Sequence, residues 1–264
     1  MNFKDCIDSY PFILMEGALG ERLKREFDLD ISGTVAMADL IYQQKGRMAL
    51  KTLWNEYMDI AHRYQLPFLA TTPTRRANKE RVYMAGYNES IITDNVDFLR
   101  TIKETANVNM YIGGLMGCKG DAYTSERALN QEEAIAFHSW QASLFKSVGV
   151  DFLYAGIMPV LSEAIGMAVA MSDTDIPYII SFTIQRNGKL IDGHTINDAI
   201  YYIDNHVSNK PVCYMTNCVH PDIVYEALSH KFNQTQMVKN RFWGIQANTS
   251  RLSYKELDGA KNLR

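Results

Sequence analysis

Four cysteines in 264 residues are too few for a disulfide framework, so Cys6, Cys118, Cys213 and Cys218 are read as free thiols or ligands. Proline is also scarce, seven in all, and no Pro-rich or low-complexity tract interrupts the chain as an interdomain linker would. No apolar run reaches the ~18 residues of a membrane span. The opening MNFKDCIDSYPF carries acids where a signal peptide would carry a basic stretch and a long apolar segment, so the cytoplasm is the expected compartment. Neither sign of charge dominates: 27 Lys and Arg face 30 Asp and Glu, for a net charge of -3. That balance argues against nucleic acid or an anionic membrane as the main partner. The one basic cluster, Arg75, Arg76, Lys79 and Arg81, reads as a solvated loop leading into a helix.

What the chain has is apolar residues at 47% against 22% charged, the composition of a globular protein with a sizeable core. Short β-rich runs recur along its length. They are FILMEGAL (12–19), PFLATTPT (67–74), NMYIGGLM (109–116), VDFLYAGI (150–157), PYIISFTI (177–184), PVCYMTNC (211–218) and FWGIQANT (242–249). Most are apolar on both faces, as strands of a covered parallel sheet are. Helices lie between them and announce their starts. Asn130 with Glu133, Thr195 with Asp198 and Ser253 with Glu256 have the capping-box spacing, and Gly149 sits where a helix ends. Strand alternating with helix predicts a parallel α/β fold, and residues 1–264 read as a single domain.

A closed (β/α)8-type TIM barrel needs eight strands. Seven runs are present, and residues 253–264 hold a helix signal but no eighth. The expected fold is therefore a parallel barrel incomplete or open at the missing eighth strand.

In such barrels the chemistry sits at the carboxyl ends of the strands. Read in order, those ends are EGALGERLKR, TPTRRAN (72–78), GGLMGCKGDAY (113–123), GVDFLYAGIMPVLSEA (149–164), ISFTI…LIDG (180–193), TNCVHP (216–221) and GIQANTSRLSYKELDG (244–259). This collinear series resembles the homocysteine S-methyltransferase family, the barrel domain shared with betaine-homocysteine and cobalamin-dependent methionine synthases.

The resemblance implies methyl transfer to a small thiol such as homocysteine. It also implies a zinc ion that binds the acceptor thiol, held by a cysteine after the sixth strand and a Cys-Cys pair on the eighth. By resemblance Cys218 is that metal ligand, and Glu16, Gly17, Thr72, Gly156, Ser181, Phe182 and Asn217 line the substrate site. Two departures stand out. No Cys-Cys pair occurs, which leaves one of three cysteine ligands, and Gly156 falls where the family has a glutamate. Glu16 replaces an aspartate and is expected to meet either the substrate ammonium, the favoured partner, or a structural one such as Arg22 or a capped backbone. Cys213, five residues before Cys218, is expected in the core, and His220 as a hydrogen-bonding turn residue. Three readings stay open: a thiol methyltransferase whose zinc site is completed elsewhere; a zinc-less binder of a small thiol or amino acid; and a partner protein that oligomerises through its open barrel edge.

Overall fold

The computed structural model describes residues 1–257; Asp258 and Gly259, the end of the seventh motif, lie outside them. All seven apolar runs form strands. They are β1 (Leu14–Met15), β2 (Phe68–Thr71), β3 (Met110–Gly117), β4 (Phe152–Met158), β5 (Tyr178–Phe182), β6 (Cys213–Val219) and β7 (Phe242–Ala247). They make one seven-stranded sheet in the order β1 to β7, with helices between, so the fold is of the α/β TIM-barrel type. β1 and β7 each have one neighbour in that order. Two compact units divide the chain, residues 1–116 with 139–154 and residues 117–138 with 155 onward.

In the first unit β2 pairs in parallel with β1 (Leu14↔Phe68) and with β3 (Phe68↔Met110 to Thr71↔Gly113). The helix Gln44–Arg63 follows β1 and buries Ala49, Leu50, Leu53, Trp54, Met58 and Ala61, a stripe at helical spacing. Trp54 is fully buried, and its indole N–H has no hydrogen-bond partner among the described residues. Two glycines of β3 make room for aromatic rings. A Cβ on Gly113 would stand 2.4 Å from the Phe152 ring, and one on Gly114 2.6 Å from Phe145.

In the second unit β6 pairs in parallel with β5 (Ile179↔Cys213 to Phe182↔Thr216) and with β7 (Tyr214↔Phe242 to Val219↔Ala247). The expected caps are present. Asn130 and Glu133 exchange hydrogen bonds of 3.1 and 3.0 Å, and Thr195 and Asp198 form a capping box on Ile196–His206. β4, β5 and β6 are almost wholly buried, whereas β7 alternates, leaving Trp243 and Ile245 exposed. The segment Gly117–His138 is tied down by Glu163, a fully buried acid of the helix Leu161–Ser172. Glu163 accepts from the backbone N–H of Lys119 (2.7 Å) and Leu129 (3.3 Å) and faces His138 Nε2 at 3.0 Å. Burial holds the His138 pKa below its ordinary value against the opposing pull of Glu163.

The Gly113–Phe152 approach yields a test of core packing. Gly113→Ala is expected to lower stability by about 1–3 kcal/mol, the usual cost of overpacking, read as a lower urea midpoint at an unchanged slope. An unchanged midpoint would mean that the Phe152 ring has room to move aside.

Candidate active site

Opposite β7, β6 pairs Asn217 with Gln246 and Val219 with Ala247, and Cys218 is the extra residue between them. A bulge of this kind turns the side chain out of the strand's alternation. Its backbone takes φ +60°, the left-handed region that a non-glycine residue enters at a cost of about 1–2 kcal/mol. The thiol is part-exposed, whereas Cys213 on the same strand is buried and its thiol is pushed up to about 12 by desolvation. The expected burial of Cys213 is met, and Cys218 is set apart from it by the bulge. At the end of β4, Ile157 also has a positive φ, +59°, unusual for a β-branched residue, and Gly156 precedes it.

A polar row crosses the strands beside Cys218. Ser181 Oγ donates to Asn217 Oδ1, and Asn217 Nδ2 donates to Gln246 Oε1 at 3.0 Å. Phe182 points the other way, stacked on Tyr214 with ring centroids 5.4 Å apart. His220 is the N-cap of Pro221–Ser229, its Nδ1 accepting from Asp222 N at 3.1 Å, so this ring serves the turn as anticipated. The chain after β7 folds back toward the same strand ends. Asn248 N donates to Val219 O at 3.0 Å, Arg251 pairs with Asp222, and Tyr254 Oη donates to Ile184 O at 2.9 Å.

The first unit holds the other expected residues. Glu16 is buried at the end of β1 and receives Thr71 N at 2.8 and 3.0 Å and Thr71 Oγ1 at 2.5 Å. Desolvation pushes its carboxyl up to about 8, against the downward pull of those hydrogen bonds. Burial thus shifts Glu16 toward its protonated form, against the pull of its hydrogen bonds. Gly17 lies against Tyr57, whose hydroxyl a Cβ would meet at 2.8 Å. Thr72 Oγ1 accepts from Leu115 N (3.1 Å) and shares a 2.7 Å bond with Thr74, so this hydroxyl braces β2 against β3.

Three contributors are not singled out by the sequence. Gln246 is a polar residue inside the apolar run FWGIQANT. Thr71 immediately precedes Thr72. Tyr254 had no signal in spacing or composition.

A profile of the homocysteine S-methyltransferase family matches residues 13–261. Homocysteine S-methyltransferase YbgG of Bacillus subtilis (strain 168) is 21% identical over 217 residues, which span 76% of this chain and 67% of that protein. Among solved structures, the metallated form of the homocysteine methyltransferase MmuM from Escherichia coli superposes with a TM-score of 0.75 at 18% identity. That likeness covers 94% of this chain and 88% of the other. Its oxidized form gives 0.70 at 19% identity, over 85% and 80%.

The raised Glu16 pKa fixes the sign of a pH effect. A group that holds its proton more tightly when folded stabilises the fold fully below its unfolded pKa, near 4.5, and loses that contribution as pH rises toward about 8. Over that window the folded chain keeps one proton that the unfolded chain releases, a slope of about -1.4 kcal/mol per pH unit. Glu16→Gln, which cannot titrate, should lack that slope, so denaturation of both proteins at pH 5, 6, 7 and 8 should show the variant gaining relative stability as pH rises. Parallel pH profiles would show that Glu16 is ionised in the folded chain.

Proposed function

The chain belongs to the homocysteine S-methyltransferase family, and we propose that it takes a small thiol such as homocysteine as the acceptor of a methyl group. The observation that carries this reading is the backbone of Cys218. A part-exposed thiol stands at the carboxyl end of a barrel strand on a bulged, left-handed residue, where a regular strand would place it at no conformational cost. Backbone strain of this kind collects at functional sites.

Transfer to a thiol forms a sulfur–carbon bond as the donor–methyl bond breaks, and the acceptor must first lose its proton. Zinc, which the family resemblance implies, supplies that acidification when bound. Among the described residues no three His, Cys, Asp or Glu side chains come together as metal ligands. Cys218 offers one thiolate where catalytic zinc takes three protein ligands. By themselves the described residues do not fit the ion, and ligands additional to them are required. What they do supply is orientation. The ladder pairs either side fix the Cys218 backbone, and the Ser181–Asn217–Gln246 row sets the polar groups next to it.

A second reading, a small-molecule binder without zinc, is favoured by Gly156, which offers no side chain where the family carries an acid.

Zinc content and homocysteine-dependent methyl transfer, measured on this chain with zinc supplied, separate the two readings. Under the first reading zinc is retained and transfer follows; under the second neither is seen. Cys218→Ser then weakens zinc by about 100-fold or more, about one ligand's share of the roughly 10–16 kcal/mol with which structural sites hold the ion. Zinc and transfer that survive Cys218→Ser unchanged would overturn the assignment of Cys218.

A further inference from the structure

The strand ends of the second unit carry no charge of their own. Residues 156–160 at the end of β4, 181–184 at β5, 217–219 at β6 and 246–249 at β7 include no Asp, Glu, Lys, Arg or His. Their polarity is neutral. It consists of the Ser181–Asn217–Gln246 row and hydroxyls such as that of Thr183, which donates to Ala122 O at 2.8 Å. Ser181, Thr183, Asn217 and Gly156 are all buried.

The acids that follow these strands already have partners. Glu163, after β4, receives Lys119 N and Leu129 N and faces His138. Asp192, after β5, accepts from Leu161 N at 2.6 Å and His194 N at 3.1 Å, with His194 Nδ1 also 3.1 Å away. Asp222, after β6, pairs with Arg251. In the first unit the Glu16 carboxyl is turned onto β2, its two oxygens receiving Thr71 N at 2.8 and 3.0 Å. An ammonium or carboxylate that leaves water for surroundings of this kind loses hydration that no opposite charge returns. A methylene or thiol loses far less, and a hydroxyl finds neutral hydrogen-bond partners.

We propose that the acceptor met at these strand ends is an uncharged aliphatic thiol, recognised by neutral hydrogen bonds from the Ser181–Asn217–Gln246 row, and that charge on the ligand weakens its binding. The proposal rests on the reading of this chain as one that takes a small thiol, and it narrows that class. Homocysteine, which bears both an ammonium and a carboxylate, is then a weaker ligand than an uncharged thiol of the same length.

The test is calorimetric titration of the reduced chain with ω-mercaptobutanol, ω-mercaptobutylamine and homocysteine. The first two share one four-carbon chain and differ only in a terminal hydroxyl or ammonium, so their ratio isolates the charge. The hydroxyl thiol is expected to bind about tenfold or more tightly than either of the others, a difference of about 1.4 kcal/mol. Gln246→Glu exchanges an amide for a carboxylate of the same shape that can still accept from Asn217 Nδ2, and it should bring the amine level with the hydroxyl or ahead of it. Gly156→Asp introduces an acid at the end of β4 and should move the preference the same way. An amine bound as tightly as the hydroxyl by the unaltered chain, or a preference that neither variant moves, overturns the proposal and leaves the thiol reading intact. If none of the three ligands binds, the thiol reading fails and the proposal falls with it. A chain that prefers the hydroxyl thiol yet transfers no methyl group would sink the functional reading and leave the ligand class standing.

Discussion

One residue caught between two ladder pairs sets the character of this barrel end. Asn217 must face Gln246 and Val219 must face Ala247, so the residue between them is forced out of register. A parallel ladder leaves such a residue few conformations, and Cys218 takes the left-handed one. The side chain that would have pointed inward or outward by alternation is re-aimed. Those two neighbours are placed by the same pairing, and His220 by the helix it caps. The site is thus a property of strand register first and of side-chain chemistry second.

Two buried glutamates show how differently one residue type can be used. Glu163 is surrounded by partners from a single segment, two backbone N–H groups and an imidazole, and it works as a clasp. Glu16 has Thr71 as donor through both backbone and hydroxyl, and burial still outweighs those bonds, which favours the protonated form. A carboxyl of that kind can give a hydrogen bond as well as receive one, and it acquires charge only when something cationic or a rise in pH removes its proton. The identity of the residue predicts an acid at the end of β1; its environment decides which form of the acid is there.

Much of this was legible in the sequence because the signals were local and repeated. Apolar runs with no alternation had to be strands covered on both faces, and β4, β5 and β6 are. Capping pairs such as Thr195 and Asp198 declare a helix start through three residues of spacing, and His220, read as a hydrogen-bonding turn residue before Pro221, is the N-cap of the next helix. What stayed hidden depended on contacts between distant positions. Tyr254 gains its meaning from Tyr123 and Ile184, which lie 131 and 70 residues away by their numbers (254 - 123 and 254 - 184). The bulge at Cys218 needs the β7 register, and the raised pKa of Glu16 needs its burial; neither quantity is written in a window of neighbouring letters. Phe182, adjacent to Ser181 in the chain, stacks on Tyr214, a contact that neighbouring letters do not announce.

The alternation of β7 gives the protein an optical asymmetry. Trp54 is sealed in the first unit with its indole N–H unpartnered among the described residues, while Trp243 on β7 is 55% exposed in the second. An indole in an apolar, unbonded setting emits toward the blue, and one facing water emits toward the red. A soluble quencher reaches the second and not the first. The third tryptophan, Trp140, is half-buried in the first unit and donates to Glu89 at 3.2 Å. With Trp140 replaced by phenylalanine the chain would carry an interior lamp in one unit and a surface lamp in the other, and events near the β7 edge could be watched by colour apart from the melting of the helix that holds Trp54.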